Sequence, residues 1–484
     1  MRNNPRAVAW EWARMNMIGI KSYGVHIPLW RLDRKLLPTA GRGEKAIAGW
    51  DEDSITMAVA AAQECLQGTE VSAVDGVYFA STTSPYREKL SATTVAASLG
   101  LRDDIITADF GNSLRAGTTA LMAASDAVKA DPSRKILVVA ADCRLGAPGS
   151  AIEQDLGDGA AALLVQDGEV GVEIEDSISV TKEILDVWRA DDEGRYISVW
   201  EDRWVYSQGY LDSIKESTGR LLKKHNLSTA EVAKVALYGP NARQHKTAVT
   251  MLGLDTETQV QAPWFTEMGN TGCALPLMLL GESIAASKKG DCLIVVSYGN
   301  GSDAILLKAT GAAFNAGGGV TAKLTRKMLL PDYLTYLKWR GITKIEGTAR
   351  PPLGNISSSA MYREREQTNT LAATKCQVCG SVQYPPQRIC INCHATDQYD
   401  KVSLADKTGT VHSYTKDYLS PMQNPLVIGV INFEGGGRTI LEITDIDPNS
   451  EVLKVGMKVR MCLRRVIHER GRRGYYWKAV PAGD

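Results

Sequence analysis

Four cysteines in the C-terminal third constrain the fold of this 484-residue chain more than any other feature. Cys376 and Cys379 form one CxxC pair, and Cys390 and Cys393 form a second pair after ten intervening residues. Two such pairs can surround one tetrahedral Zn²⁺ with four thiolates. A redox dithiol is the alternative, but it needs no second CxxC pair. Four thiolates also close the coordination shell to substrate, so we predict a structural zinc ribbon and expect the chemistry elsewhere.

Composition and charge narrow the class of protein. The chain has 55 basic and 55 acidic residues, which argues against nucleic acid or an anionic membrane as the main partner. The longest apolar runs, 135–141 and 292–298, are the length of strands and too short to span a bilayer. The first sixteen residues lack the apolar core of a secretory signal. Together with a zinc ribbon and free cysteines, these features predict a soluble cytoplasmic protein.

The pattern of apolar residues divides the chain into five parts. After an N-terminal extension (1–16), residues 17–312 alternate short apolar strands with amphipathic helices in two successive series, which predicts a duplicated, layered α/β domain. Residues 313–373 are rich in Gly, Pro and Ser and are predicted to be a linker with helical pieces. The zinc ribbon occupies 374–400. Residues 401–484 alternate apolar and polar positions between Gly-rich turns, which predicts a small β-barrel of the OB-fold type.

Several segments of the first domain also carry a recognisable pattern. They are VYFASTTSPY (77–86), RAGTTAL (115–121), AADCRLGAPGSAIEQDLGDGAAALLV (140–165), DVWR (186–189), GPNAR (239–243), MGNTG (268–272) and SYGNGSDA (297–304). In order and spacing they resemble the thiolase superfamily, and within it the archaeal and bacterial 3-hydroxy-3-methylglutaryl-CoA synthases. The remainder resembles the DUF35 acyl-CoA-associated proteins that partner thiolase-like enzymes. The resemblance implies a five-layered thiolase-like fold, an acyl-CoA substrate and a homodimer or larger homo-oligomer.

The resemblance also shows where this chain departs from the synthases. Their nucleophilic cysteine directly precedes a basic residue and Ala-Gly-Thr, and that position falls on Leu114. Tyr238 stands where their histidine precedes a residue-Pro-Asn triplet, and Thr82 stands where they carry a general acid/base glutamate. Their Gly-Asn-Thr asparagine is kept as Asn270. Because leucine cannot carry an acyl group, these differences argue against an acyl-cysteine intermediate.

The residues that are kept or replaced still suit aldol chemistry. Asn270 can help to hold a thioester oxyanion, and Tyr238 can exchange a proton with a substrate hydroxyl. Steroid side-chain retro-aldolases are thiolase-like proteins that lack the cysteine, use tyrosines and require a DUF35 partner. We therefore predict a CoA-dependent (retro-)aldolase, a lyase acting on a 3-hydroxyacyl-CoA, with Tyr238 as acid/base and Asn270 in the oxyanion hole. Tyr206 and Tyr210 are further catalytic candidates, with ordinary core packing as the alternative.

Binding of coenzyme A, which enters as part of the substrate, requires cationic contacts to its phosphates. Arg243 and Lys246 follow the Pro-Asn motif and are the candidates, although a solvated helix face explains them equally well. Thr82 and Leu114 are expected to border the substrate pocket. Structural Zn²⁺ is the one metal predicted, and the OB barrel is expected to serve as a CoA-binding or docking surface.

Two alternatives to the aldolase remain open. The first is an acyl-CoA condensing enzyme or acyltransferase that uses Cys273, Cys143 or Ser113 as its nucleophile. Cys273 is a candidate because it closely follows Asn270, and Cys143 because it follows a strand in the pocket-forming region of the family, but core packing explains both cysteines too. The second is a non-catalytic scaffold or acyl-CoA channel for a separate thiolase.

His245 is expected on a solvated helix face.

Overall fold

The computed structural model describes residues 17–190, 194–343, 357–419, 425–469 and 471–483. Contacts divide the chain into two units. Residues up to 333 form the first unit, except 50–52 and 97–100, which group with residues 334–484 in the second. The predicted N-terminal extension, 1–16, lies outside the described residues.

The first unit is built from alternating strands and helices, as the apolar pattern predicts. Its strands are β1 (Ile18–His26), β2 (Trp30–Asp33), β3 (Glu44–Ile47), β4 (Gly76–Ser81), β5 (Ile106–Gly111), β6 (Ile136–Asp142), β7 (Gly159–Asp167), β8 (Val172–Thr181), β9 (Val187–Trp188), β10 (Ser198–Val199), β11 (Val232–Leu237), β12 (Cys292–Tyr298), β13 (Gly301–Ala309) and β14 (Met328–Leu329). Its α-helices are α1 (Ser54–Cys65), α2 (Ser91–Ser98), α3 (Ala116–Ala130), α4 (Ala151–Asp155), α5 (Asp202–Trp204), α6 (Asp212–Lys224), α7 (Ala242–Leu252), α8 (Leu275–Ala285) and α9 (Gly319–Thr325).

A nine-stranded sheet organises the first unit, in the order β11-β12-β13-β8-β1-β7-β6-β4-β5. In the first half, β7 pairs antiparallel with β1, β6 pairs antiparallel with β7, and β4 pairs parallel with β6. In the second half, β13 pairs antiparallel with β8, β12 pairs antiparallel with β13, and β11 pairs parallel with β12. The two halves thus repeat one succession of strands and meet where β1 pairs with β8. This repeat is what the predicted duplication requires.

Helices cover both halves of the sheet. The helix α1 packs against β1, β7 and β6, and α6 packs correspondingly against β8, β13 and β12. The helix α8 (LPLMLLGESIA) is buried on nearly all sides and contacts α3 and strands of both halves. A helix that is apolar all round has no face to offer to water, so α8 lies in the core.

The Gly-rich part of the predicted linker belongs to the first unit. The Tyr23 N–H donates to the Asn315 carbonyl at 2.8 Å, and the Gly318 N–H donates to the Glu64 carboxylate at 2.8 Å. Beyond it, β14 pairs with β2. Gly317 has a φ of +55°, which lets the backbone turn its N–H groups towards buried carboxylates. Residues 313–333 therefore differ from the predicted linker, because these glycines fix a docked loop.

The second unit contains short helices, a small sheet and a barrel. Its elements are α10 (Tyr333–Trp339), α11 (Ser358–Arg363), α12 (Arg365–Thr370), β15 (Ala372–Cys376), β16 (Val382–Gln383), β17 (Tyr399–Ser403), β18 (Thr408–Asp417), β19 (Leu426–Phe433), β20 (Arg438–Ile443), β21 (Lys458–Glu469) and β22 (Arg472–Pro481). Strands β16, β15 and β17 form the small sheet, and β18-β19-β20-β22-β21 close into a five-stranded barrel. The barrel confirms the OB-type prediction. Across the described parts of both units, no helix has the length and apolar character needed to cross a bilayer.

Candidate active site

The candidate site lies at the carboxyl ends of parallel strands in both halves of the sheet. Thr82 follows β4 and Asp142 ends the neighbouring β6, while Tyr238 follows β11 and Tyr298 ends the neighbouring β12. Carboxyl ends of parallel strands are where α/β folds bind their ligands.

Tyr238 and Asn270, the two central residues of the predicted site, are in direct contact. Both are buried, with about 1% of each exposed. The Asn270 Nδ2 donates to the Tyr238 hydroxyl oxygen at 3.1 Å and lies 3.0 Å from the carbonyl oxygens of Gly239 and Pro240. Its Oδ1 accepts from the Gly272 N–H at 2.9 Å. The amide is thus occupied by protein groups and orients the phenol, which differs from the predicted oxyanion donor that faces the substrate.

Buried charges surround the Tyr238 phenol. Burial raises the pKa of Tyr238, and the nearby Asp186 and Asp142 carboxylates raise it further. The Arg144 guanidinium and the Asn270 hydrogen bond act in the opposite direction. On balance the pKa is raised, so Tyr238 is a neutral phenol at pH 7. Arg144 and Asp186 were not predicted from the sequence, although each is a charged residue inside one of the quoted motifs.

Two further tyrosines, Tyr210 and Tyr298, lie near Tyr238. The Tyr210 hydroxyl donates to the Tyr238 carbonyl at 2.7 Å and so holds the backbone of Tyr238. Its ring meets that of Tyr298 edge to face at 5.4 Å. Tyr206 is half-buried on the same stretch, Val205–Leu211, which is a π-helical turn. Such turns are rare and are found frequently at functional sites. Tyr298 is a residue that the prediction missed, although it lies in the SYGNGSDA motif.

A buried carboxylate clamps the site together. Asp142 Oδ1 accepts from the Ser81 hydroxyl (3.1 Å), the Thr82 N–H (2.7 Å) and the Thr83 hydroxyl (3.0 Å). Its Oδ2 accepts from the Cys273 N–H at 2.9 Å. One side chain therefore ties the end of β4 to the turn that leads into α8, and it fixes the backbone of Thr82. Asp142 was not predicted from the sequence as a site residue.

We expect Asp142→Asn to destabilise the protein by about 3 kcal/mol, because hydrogen bonds to a charged group are lost and the new amide donor faces other donors. Urea unfolding followed by circular dichroism measures this change. Asp126→Asn is the matched control, since the Asp126 side chain is 77% exposed on α3. The control should shift the free energy of unfolding by less than about 0.5 kcal/mol. Equal stability of the two variants would show that the hydrogen bonds to Asp142 do not stabilise the fold.

The position that resemblance assigns to the nucleophile holds an apolar side chain. Leu114 is half-buried and packs against the core just before α3. The neighbouring Ser113 hydroxyl donates to the Gly299 carbonyl at 3.3 Å and accepts from the Arg115 N–H at 3.3 Å. Arg115 pairs with the buried Asp303 at 3.1 Å. These contacts give Ser113 a structural role at the start of the helix.

The two candidate cysteines differ in their surroundings. Cys273 is fully buried, and its Sγ donates to the Ala80 carbonyl at 3.4 Å. Burial, followed by the Asp142 carboxylate, raises the pKa of Cys273 well above its ordinary value, so its nucleophilic thiolate is suppressed. Cys143 is half-buried, with its N–H donating to the Thr83 hydroxyl at 2.9 Å.

The helix α7 presents different residues to the core and to solvent. His245 is buried with Ala248, and its ring meets Phe265 edge to face at 5.8 Å. Burial lowers the pKa of His245 to about 4. The predicted solvated position of His245 is therefore wrong, because helical spacing places it on the core face. Arg243 and Lys246 lie on the exposed face, and their predicted contact with CoA stays a prediction.

The four predicted zinc ligands converge in the second unit. The sulfur atoms of Cys376, Cys379, Cys390 and Cys393 all lie within 4.8 Å of one another, and two pairs are 3.5 Å apart. A tetrahedral Zn²⁺ with bonds of about 2.3 Å requires sulfurs about 3.8 Å apart, so the set fits the metal. Hydrogen bonds from Ser381 lower the pKa of Cys379 to about 6, which favours a thiolate ligand.

Comparison with known proteins identifies both parts of the chain. Residues 363–398 match the ChsH2 rubredoxin-like zinc ribbon domain, and residues 402–464 match the ChsH2 C-terminal OB-fold domain. The hydroxymethylglutaryl-CoA synthase of Archaeoglobus fulgidus is 30% identical over 342 residues, which cover 67% of this chain and 98% of that protein. The chain belongs to the hydroxymethylglutaryl-CoA synthase family. A second family member, from Methanosphaera stadtmanae, is 27% identical over 68% of this chain and 100% of that protein.

Solved structures show the same fold for the family domain. The match to a hydroxymethylglutaryl-CoA synthase crystallised with CoA covers 70% of this chain and 95% of the synthase chain, with a TM-score of 0.58 and 20% identity. The 3-oxoacyl-(acyl carrier protein) synthase III of Pseudomonas aeruginosa covers 61% of this chain and 99% of its own, with a TM-score of 0.54 and 19% identity. These findings confirm the thiolase-like fold and its fusion to a zinc ribbon and an OB barrel. The chain is therefore a member of a family of CoA-dependent, thiolase-fold enzymes.

Proposed function

We propose that this chain is a CoA-dependent aldolase, a lyase that breaks or forms the C2–C3 bond of a 3-hydroxyacyl-CoA without an acyl-enzyme intermediate. The contact between Asn270 and the buried Tyr238 phenol is the observation that carries the proposal. It pairs a proton-transfer group with an orienting amide in a family whose nucleophile position falls here on Leu114. A leucine at that position removes the covalent half of synthase chemistry and leaves the aldol half.

In the proposed cleavage, the ionised form of Tyr238 accepts the proton of the substrate 3-hydroxyl group. The C3–O bond becomes a carbonyl as the C2–C3 bond breaks, and its electron pair moves onto the thioester as an enolate. The Tyr238 phenol then returns the proton to C2. The products are an acyl-CoA and a ketone or aldehyde, and the tyrosine ends in its starting state. Asn270 keeps the phenol in position throughout.

The pH profile of cleavage follows from the raised pKa of Tyr238. Because this pKa lies above the ordinary value of about 10, phenolate is scarce at pH 7, and its fraction rises about tenfold for each pH unit. We expect log kcat/KM for cleavage to rise with a slope of about +1 between pH 7 and 9. Steady-state rates in overlapping buffers measure the slope. A flat profile over this range would exclude Tyr238 as the base.

The other predicted partners fit the same proposal. Arg243 and Lys246 are exposed on α7, next to the Pro-Asn motif, where they can pair with the phosphates of CoA. The OB barrel would supply a CoA-binding or docking surface. We expect a homodimer or larger homo-oligomer that works in the reducing cytoplasm.

Product analysis by liquid chromatography and mass spectrometry tests the proposal. The full chain is incubated with a panel of 3-hydroxyacyl-CoAs that differ at C3, including hydroxymethylglutaryl-CoA. Release of a shorter acyl-CoA together with an equimolar ketone or aldehyde is the expected result. Survival of every substrate would contradict the aldolase and favour a scaffold or acyl-CoA channel for a separate thiolase.

An acyltransferase is the second candidate, and family membership together with the half-buried Cys143 favours it. Transfer would require an acyl thioester on a cysteine, which adds the mass of the acyl group to the protein. Cys143→Ala should abolish that adduct if Cys143 is the nucleophile. Under the aldolase proposal, neither the wild type nor the Cys143→Ala variant forms an acyl adduct.

A further inference from the structure

One edge of the barrel strand β20 is open along most of its length. On one side, β20 pairs antiparallel with β19 from Arg438 to Ile443. On the other side, its only strand partner in the described structure is β22, through the single pair Ile443↔Ala479. The barrel closes through that one pair, so residues 438–442 have one edge without a neighbouring strand.

Backbone hydrogen bonds at the two ends of β20 show which residues face this open edge. The Phe433 N–H donates to the Gly437 carbonyl at 3.0 Å, so Gly437 faces β19. The Thr444 N–H donates to the Ala479 carbonyl at 2.9 Å, so Thr444 faces away from β19. The N–H and C=O groups of successive residues alternate in direction along a strand. The residues of even number in β20 therefore direct their N–H and C=O groups to the open edge.

The side chains of β20 leave this edge accessible. Ile440 is 67% exposed. Residues 438–443 contain no proline or lysine, and their pairing with β19 has no bulge. Proline, lysine and bulges are devices that keep exposed strand edges from pairing with another chain. Residues 438–442 are therefore suited to accept a further strand.

The sequence of β20, RTILEI, is complementary to itself in the antiparallel direction. With Ile440 opposite Ile440 of a second copy, Arg438 of each copy lies opposite Glu442 of the other. Opposite charges and β-branched side chains are favourable cross-strand pairs. All these pairs join residues of even number, so the outward N–H and C=O groups meet as hydrogen-bonded pairs.

Both charged side chains remain able to reach a second copy. Arg438 Nε donates to Asn432 Oδ1 at 2.6 Å, and the other guanidinium nitrogens remain for a further acceptor. The Glu442 carboxylate pairs with Lys478, yet the Glu442 side chain is 33% exposed. The charge complementarity therefore favours a second copy of this chain as the occupant of the edge.

We propose that two copies of this chain associate through the open edges of β20, which pair antiparallel about a twofold axis at Ile440. The same surface of both copies forms the contact, as in the twofold dimers that are commonest among homo-oligomers. The proposal concerns assembly and does not rest on the aldolase activity.

Disulfide cross-linking of the full chain tests this pairing, because a residue on a twofold axis meets its own copy. Hydrogen-bonded antiparallel pairs place Cα atoms about 5.5 Å apart, which is within the range of a disulfide. The Ile440→Cys variant is incubated with oxidised glutathione, and covalent dimer is measured on denaturing, non-reducing gels, which remove non-covalent contacts. We expect dimer to form at least about tenfold faster than in Val455→Cys, a control that is 64% exposed in the same unit. The wild type, treated in the same way, accounts for the native cysteines.

Arg438→Glu, added to Ile440→Cys, tests the register. It places like charges opposite each other at two positions and should slow cross-linking about tenfold, whereas Arg438→Lys should retain most of the rate. The melting temperature should stay unchanged, because these side chains are exposed. Equal rates for Ile440→Cys and Val455→Cys, as expected if another protein occupies the edge, would overturn the proposal. Cross-linking that is insensitive to Arg438→Glu would overturn it too.

Discussion

Replacing Tyr238 with phenylalanine is expected to reduce C–C bond cleavage by about 10²- to 10⁴-fold, the usual contribution of a general acid–base group. The fold should survive, because Asn270 Nδ2 carries two hydrogens and keeps the carbonyl oxygens of Gly239 and Pro240 as acceptors. The phenyl ring also preserves the packing of this buried position. Initial rates of acyl-CoA release and the melting temperature, measured on the same preparation, separate the two effects.

Tyr362→Phe serves as the control for the substitution itself, since Tyr362 is 67% exposed in the second unit. It should retain the wild-type rate. A Tyr238→Phe variant that keeps more than about a tenth of the wild-type rate would show that another group moves the proton.

Loss of zinc is expected to have the largest effect on structure. The double variant Cys379→Ser/Cys393→Ser removes one ligand from each CxxC pair at exposed positions, so packing is barely disturbed. Structural zinc contributes about 10–16 kcal/mol of apparent binding free energy at neutral pH, far more than a sheet of three short strands can supply alone. We expect the variant to contain no zinc and to become sensitive to proteases between residues 372 and 403.

Metal content by plasma mass spectrometry and limited proteolysis measure these two outcomes. Cys292→Ser is the control, because Cys292 lies on β12 in the first unit and is not one of the four zinc ligands. It should keep one zinc per chain and the wild-type digestion pattern. Retention of stoichiometric zinc in the double variant would refute the four-cysteine site.

Secondary structure was largely predictable, because apolar periodicity is a local property of the sequence. The runs 135–141 and 292–298 correspond to β6 and β12 within one residue. The start of α1 shows the limit of such local signals. Ser54 is of a residue type that commonly caps helices, yet Asp53 caps the helix by accepting from the Ile55 and Thr56 N–H groups. Adjacent Asp and Ser residues both satisfy the capping preference, and only the backbone geometry chooses between them.

The candidate site was predictable only in part. Tyr238 and Asn270 were predicted from their positions in the motifs, and the fold places them in contact. Tyr298, Arg144 and Asp186 were missed, because their importance comes from burial beside Tyr238. Such proximity is set by the register of distant strands, which a single sequence does not reveal. The exposed and buried faces of α7 could have been separated by helical spacing, which would have placed His245 in the core.

The central claim is that this thiolase-fold chain acts on C–C bonds without forming an acyl-enzyme. One quenched reaction tests it directly, with intact-protein mass and small-molecule products measured from the same sample during the first turnovers of a 3-hydroxyacyl-CoA. We expect an acyl-CoA and a carbonyl product in equal amounts, with the protein mass unchanged at every time point. A protein species heavier by the acyl group, formed before product and consumed as product appears, would contradict the claim.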